Sequence, residues 1–234
     1  MSEPLSCGPR VCTRMVRTKS DIRATYDRIA ESYAARRREP WPEVRLFIES
    51  LPRGARVLDV GAGHGRHTTV LADRGHRATA LEFSRRLLLI GRAGEPRTRD
   101  ALRIDWVGGE ATKLPFRDAS FDAGLCIAVL HHLPVESDRI AALMELRRVL
   151  RRRAPVFVSV WAREQPRFQS MPAALEVDAN VEVPWTMPDK TVVPRFYHLF
   201  QKGELERLII GSGLHGERFF PGAGNWFAQA RSNG

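Results

Sequence analysis

The chain holds 234 residues, with 37 lysines and arginines against 27 aspartates and glutamates, a net charge of +10, and 43% of its residues are apolar. That apolar share suffices for a packed core and excludes wholesale disorder, and no apolar run approaches the roughly 20 residues that a membrane span needs. Three cysteines (Cys7, Cys12, Cys126) are too few for a disulfide framework, and residues 1–16 place Pro, Gly and Arg where a secretory signal needs an apolar stretch, so a cytoplasmic chain with no membrane partner is expected. The basic excess favours a polyanion, nucleic acid first, although only four of the 37 cations are lysine and a drift toward arginine produces the same excess without any ligand.

Residues 1–19 read as a basic, disordered tail; Arg10, Arg14, Arg17 and Lys19 are placed there to reach RNA, and Cys7 and Cys12 are too isolated for zinc, so no metal site is expected. A helix is predicted over 20–35, capped by Ser20 or Asp21, with Ile22, Tyr26, Ile29, Ala30 and Tyr33 at helical spacing. A second helix follows over 42–50, opened by proline. Strand and helix then alternate: strand 56–60, helix 66–74, strand 76–81, helix 84–92, strand 103–107, strand 121–127, helix 137–150 and strand 155–160. In helix 137–150, Ile140, Leu143, Met144 and Val149 form the apolar side, and the arginines 147, 148 and 151–153 at its end read as a solvated terminus. Such alternation predicts a parallel sheet covered on both faces. Residues 165–194 hold five prolines and no sustained period, and read as an irregular, lid-like insertion. A helix over 202–211 and a hairpin of strands 217–220 and 226–230 complete one domain over 20–234, whose N-terminal helices occupy 20–50.

The run Asp59-Val60-Gly61-Ala62-Gly63-His64-Gly65 closes the first strand of the alternation and opens its helix. Gly61 and Gly63 permit close backbone approach to a ligand, and Gly65 lets helix and strand pack together. The G-x-G-x-G spacing differs from the G-x-G-x-x-G of pyrophosphate sites, and Asp59 would repel a pyrophosphate. It suits the ammonium and sulfonium of S-adenosylmethionine. Glu82 ends the next strand, where an acid accepts from both ribose hydroxyls. Glu110 follows the third strand and is placed for the adenine amino group, with Ala111 or its neighbour donating to a ring nitrogen. Phe83 and Ile127 join the expected cofactor contacts.

With these residues the chain resembles a class I S-adenosylmethionine-dependent methyltransferase, and the segment Leu114-Pro115-Phe116-Arg117-Asp118-Ala119-Ser120-Phe121-Asp122 is similar to the approach to strand four in many members. The resemblance implies a Rossmann-like α/β fold: a seven-stranded sheet, mostly parallel, with an antiparallel last strand and helices on both faces. Dispersed pieces point to one family within it. Tyr26-Asp27-Arg28-Ile29-Ala30 with Arg37 and Pro40-Trp41-Pro42, the stretch 126–133 with its His131-His132 doublet, Val160-Trp161-Ala162-Arg163-Glu164-Gln165, Arg195-Phe196-Tyr197-His198-Leu199-Phe200, and Asn225-Trp226 together resemble the tRNA wobble-uridine carboxymethyl methyltransferases. That family implies methyl esterification of 5-carboxymethyluridine at tRNA position 34, with the anticodon arm as partner.

A carboxylate acceptor is already ionised at neutral pH and needs positioning rather than a base. Arg37 and Arg195 are the expected grips on substrate carboxylate or phosphate. One of His131 and His132 orients the acceptor or shapes the pocket, and spacing does not say which. His198 is either a substrate contact or a core histidine; Trp41, Tyr197 and Trp226 either stack on RNA bases or pack inside. The family further implies a small zinc-binding activator subunit that adds a strand at the sheet edge, here 103–107, where Ile104 and Trp106 share a face and Leu87, Leu88, Leu89 and Ile90 cannot all be buried. Two other readings stand beside this one: methylation of a quinone- or lipid-type small molecule, and an RNA-interaction module that binds the cofactor without turnover.

Overall fold

The computed structural model describes residues 10–11, 17–94, 104–168 and 179–233. In chain order its strands are β1 (Arg10–Val11), β2 (Arg56–Val60), β3 (Arg77–Glu82), β4 (Asp105–Gly108), β5 (Ala123–Ile127), β6 (Pro155–Trp161), β7 (Asn180–Thr186), β8 (Val192–His198), β9 (Leu214–Gly222) and β10 (Asn225–Ser232). The helices are α1 (Lys19–Arg36), α2 (Pro42–Glu49), α3 (Arg66–Asp73), α4 (Arg85–Ala93), α5 (Glu136–Val149) and α6 (Glu204–Gly211).

Seven strands form one sheet in the order β4-β3-β2-β5-β6-β10-β9; β10 is antiparallel to both neighbours and the rest pair in parallel. This is the expected α/β architecture, with β4 at the edge. Burial explains it. On one face Val57, Ala78, Ala80, Leu125 and Phe157 meet Val44, Phe47 and Ile48 of α2 and Val70 and Leu71 of α3. On the other, Leu58, Val60, Val156 and Val158 meet Leu143 and Leu146 of α5 and Leu205, Leu208 and Ile209 of α6. All five residues of β5 are buried, as a parallel strand between two helical layers requires. On α5 the inward side is Ala142, Leu143, Leu146 and Val149; Met144, expected inside, is 49% exposed, because the helix rotates toward its smaller Ala142.

Two expectations are corrected. The irregular reading of 165–194 fails at β7, which pairs with β8 and β1 in a separate three-stranded antiparallel sheet. Its alternation of buried Val181, Val183 and Trp185 is a strand period, interrupted in sequence by Pro184. Pro184 lies opposite Pro194, a place where neither partner has an N–H to lose. The tail reading of 1–19 fails at Arg10–Val11, which pairs with β7, at Arg17, which forms an ion pair with Glu182, and at Lys19, the first residue of α1. That helix is capped by Thr18, neither Ser20 nor Asp21: Thr18 accepts from the Asp21 N–H, and Asp21 accepts from the Thr18 N–H at 2.9 Å. Cys7 and Cys12 lie outside the described residues.

The second sheet and α1 close over the carboxyl ends of β2, β3 and β5. Asp27 of α1 accepts from Ser84 Oγ (2.7 Å) and the Arg86 N–H (3.0 Å) at the start of α4. Trp185 Nε1 of β7 donates to Ser32 Oγ of α1 at 2.7 Å, inside a cluster of Ile29, Trp185 and Val193. No described helix is long and apolar enough to cross a membrane.

Candidate active site

A cleft opens at these strand ends, with about 970 Å³ of empty space that includes open solvent at its mouth. Its floor is the turn after β2. Gly61 has φ +69°, and a Cβ there would lie 2.4 Å from Val129 Cγ2; a Cβ on Gly65 (φ +87°) would lie 2.5 Å from the Trp106 ring. Gly63 faces open space. The turn is therefore packed tightly behind and left open in front, a cradle in which backbone meets a ligand directly.

Glu82 lines this cleft, 8% exposed. One oxygen accepts from the Gly63 N–H and the other from the Ser84 N–H, both at 2.7 Å. The carboxylate, which the Phe83 N–H also reaches, keeps further acceptor capacity toward the cleft, the provision that ribose hydroxyls require. Burial raises its pKa. Glu110 pairs with Lys19 of α1 at 2.5 Å and accepts from Thr112 on the same oxygen, Oε1. Burial pushes its pKa up, and these two donors outweigh that and hold it below the usual carboxylate value. Phe83, Ala111 and Ile127 line the cleft between the two acids. The cradle, the buried diol acceptor and the apolar slot fit a nucleoside cofactor.

Asp59 differs from expectation. It is 2% exposed, is not part of the cleft wall, and accepts from Thr68 Oγ1 of α3 at 2.6 Å. Burial pushes its pKa up to about 7. It braces the glycine turn from behind; its strand position brings it close, but its side chain is turned to α3.

The opposite end of the cleft is assembled from distant segments. Tyr26 and Tyr33 of α1, His64 and Arg66 beside the glycine turn, and His132 form its wall. His132 Nδ1 faces the Phe196 carbonyl at 3.1 Å, which can only accept, so Nδ1 carries the proton and Nε2 accepts from Tyr26 Oη at 2.8 Å. Burial pushes its pKa down to about 3. His132 is thus a neutral ring with its lone pair engaged. His131 sits behind it, wholly buried, accepting the Trp161 N–H on Nδ1 at 3.0 Å and stacked on Tyr197. Burial, with His132 and Arg195 nearby, keeps it neutral. His132 is therefore the member of the doublet that faces the cleft.

Arg195 is 3% exposed and lies one layer behind that wall. Its Nη1 donates to Tyr197 Oη at 2.8 Å, and its guanidinium lies 4.8 Å from the Trp185 ring centre. Burial opposes its charge, but Tyr197, Tyr26 and Tyr33 around it outweigh burial and keep it cationic. Among the described residues no carboxylate lies within ion-pair distance of it. Arg37 is exposed at the end of α1, its N–H bonded to the Tyr33 carbonyl at 3.0 Å.

Four candidate contacts lie outside the cleft lining. His198 lies away from the cleft, its Nδ1 2.9 Å from Asn180 Oδ1 and its Nε2 2.6 Å from Glu204 Oε1, tying β8 to α6. Tyr197 is 3% exposed with its ring packed against both His131 and Trp161, so no base can stack on it. Trp41 packs edge-on to His67 and Phe227 under the Arg66 guanidinium. Trp226 packs on the α5–α6 side of the sheet and donates to Glu164 Oε2 at 3.0 Å. In each case a long-range partner absorbs the group. Conversely, the cleft contains Tyr33, His64 and Arg66, which sequence spacing did not single out. Tyr26 and Tyr33 are seven residues apart, two helical turns, and their shared face reads equally well as core.

Residues 58–158 match the family model described as a methyltransferase domain. Over 88% of its length the chain is 31% identical to tRNA (carboxymethyluridine(34)-5-O)-methyltransferase alkbh8 of Xenopus tropicalis, of which it spans 40%. It is 27% identical to the Schizosaccharomyces pombe tRNA (carboxymethyluridine(34)-5-O)-methyltransferase, with 91% of this chain and 96% of that protein covered. It is 31% identical to a putative methyltransferase of Encephalitozoon cuniculi, with 81% and 84% covered. Among solved structures it is similar to the CcbJ methyltransferase of Streptomyces caelestis (TM-score 0.72, 19% identity, 90% and 98% covered). It is also similar to a structure of the Haloferax volcanii Trm112 methyltransferase activator with a putative methyltransferase (TM-score 0.68, 17% identity, 91% and 98% covered). At those identities the structures speak for the fold.

Proposed function

The chain belongs to the class I S-adenosylmethionine-dependent methyltransferases, in the family that includes these wobble-uridine proteins, and from that premise we propose that it esterifies the carboxylate of 5-carboxymethyluridine at the wobble position of tRNA. It is a methyltransferase enzyme whose cofactor is S-adenosylmethionine, which supplies an electrophilic methyl group. In this reading Glu82 takes the ribose hydroxyls, Glu110 Oε2 the adenine amino group, and the Gly61–Gly65 turn the amino-acid portion.

The observation that carries the choice of acceptor is that neither the histidine doublet nor the two tyrosines offer a base at the acceptor end, which leaves His64, its pKa lowered by burial, as the one neutral imidazole with that capacity among the described residues of the wall. His132 is neutral with Nε2 occupied, His131 is shut behind it, and Tyr26 and Tyr33 have pKa values raised by burial. An amine or hydroxyl acceptor has to lose a proton; a carboxylate does not. A carboxylate also supplies a counterion to the buried Arg195, which has none among the described residues. Arg195 acts through Tyr26 and Tyr197, raising the potential without gripping the nucleophilic oxygen. Exposed Arg37 and half-buried Arg66 stand at the mouth, where the phosphates of an anticodon arm pass.

The partner reading rests on β4. Among the described residues it pairs with β3 alone, and Leu89 of the neighbouring helix is 49% exposed. Trp106 is folded onto Gly65 and Gly91, so a strand added at β4 by an activator subunit presses on the cofactor turn through this ring.

The test is methyl transfer from labelled cofactor to tRNA that carries or lacks carboxymethyluridine, with an activator subunit co-expressed. Labelling of the first alone, lost after mild alkaline hydrolysis of the ester, is expected. Equal labelling of both tRNAs, or alkali-stable label, overturns the acceptor.

A further inference from the structure

Four planar groups cluster beside the cleft. His131 and Tyr197 stack with ring centres 4.9 Å apart and planes 24° apart; Tyr197 and Trp161 follow at 4.0 Å and 22°. The guanidinium of Arg167 closes the outer end, 4.2 Å above the Trp161 ring and 4.7 Å from that of Phe168. The inner end touches the cleft wall, since the His131 and His132 ring centres are 4.3 Å apart.

We propose that Arg167 is a stacking post for the RNA base adjacent to the one that enters the cleft. The proposal rests on the reading of the substrate as tRNA and names a contact that this reading did not contain.

Three features set Arg167 apart from an ordinary surface arginine. Its turn is anchored: Phe168 is 2% exposed, its N–H bonds the Gln165 carbonyl at 2.9 Å, and Gln165 Nε2 donates to the Gly224 carbonyl at 2.7 Å. The guanidinium is therefore held over the Trp161 ring before any ligand arrives, which lowers the entropy lost on binding. Among the described residues no carboxylate pairs with it, and its charged neighbours, Arg37 and Arg195, are cations too; burial against the rings, and then these charges, depress its pKa. A group of cations without acids calls for an anionic polymer. Lastly, one face of the guanidinium lies on Trp161 while the residue remains exposed, so its outer face is offered to solvent. A flat cation with one free face takes a base plane, and single-stranded RNA is read by such stacking on aromatic rings and arginine planes. Phosphate contact alone would not need the rings packed beneath it.

The experiment uses the full chain with its activator, saturating S-adenosylhomocysteine, and a fluorescent RNA hairpin bearing an anticodon loop, followed by anisotropy. Arg167→Ala and Arg167→Lys should each weaken binding about tenfold, the scale of one stacked base. Arg167→Gln, planar but uncharged, should retain more affinity than Arg167→Lys. An abasic nucleotide next to the wobble position should weaken wild type by a similar factor and add little to the Arg167→Ala loss. Arg167→Lys binding as wild type does would overturn the stacking post in favour of a phosphate contact. Equal abasic losses in wild type and Arg167→Ala would overturn it as well, and this comparison is insensitive to a general loss of fold. Should wild type methylate tRNA while both comparisons fail, the inference alone falls; wild type that neither binds the hairpin nor methylates tRNA removes the RNA reading and the inference with it.

Discussion

The two ends of the cleft are built in opposite ways. The cofactor end comes mainly from the stretch β2 through Ala111, in which Glu82 at the end of β3 and Glu110 just beyond β4 reach the cleft. The acceptor end joins α1, the turn 130–132 and β8, segments separated by up to 171 residues at the Tyr26–Tyr197 contact. The first is written in local turn chemistry and tolerates little change to the backbone. The second depends on side chains holding one another, so single substitutions there should alter turnover while leaving the fold and cofactor binding in place.

The sharpest way to break that contrast is Gly61→Ala. Its Cβ would strike Val129 at φ +69°, so calorimetry should detect no S-adenosylmethionine binding; Gly63→Ala, strained by about 1–2 kcal/mol but facing open space, should keep binding with roughly tenfold loss. Wild-type affinity in Gly61→Ala would contradict the cradle. Next in size is Asp59. Its pKa stands at about 7 against an ordinary 3.8, so the folded state holds this proton more tightly than the unfolded chain does. Stability is then greatest below pH 4 and falls by about 4 kcal/mol as pH rises to 7, with Glu82 adding a slope of the same sign. Asp59→Asn should remove most of that slope in thermal melts and be more stable than wild type at pH 8; parallel melting curves would refute it.

Glu82→Gln tests the ribose acceptor, with cofactor affinity expected to fall about 10–100-fold. At the acceptor end, Tyr26→Phe and His132→Ala should each lower kcat about tenfold with cofactor affinity unchanged. Because His132 titrates near 3, wild-type kcat should be flat from pH 6 to 8. A limb near pH 6.5 that vanishes in His132→Ala would restore this residue as a base. The smallest effect on activity belongs to His198→Ala, which unties Asn180 and Glu204: stability should drop by about 1–2 kcal/mol while turnover at 20 °C stays within twofold.

Much of this arrangement is readable from local pattern. Strand ends carry Glu82 and Glu110 to the cleft as their positions foretell, and the glycine spacing alone places the turn. Where reading fails, a partner far along the chain decides. Asp59 sits at the expected strand end, yet Thr68 on the next helix claims its carboxylate. Tyr197 and His198 are adjacent in sequence and each reads as a substrate contact or as core, but β8 alternates its faces, packing one ring against His131 and Trp161 and sending the other to Glu204. β7 is hidden in the sequence because Pro184 reads as a strand breaker until Pro194 is seen opposite it.

By itself the sequence determined the doubly covered sheet, the open glycine turn and the acids at the strand ends that line the cleft, because hydrophobic period and turn chemistry act over a few residues. Only the tertiary structure decided which histidine faces the cleft, that it is neutral, and that Arg195 lies buried with no acid beside it among the described residues. Those properties come from desolvation and from which polar groups end up sharing a proton, and both depend on segments that meet only after the chain has folded.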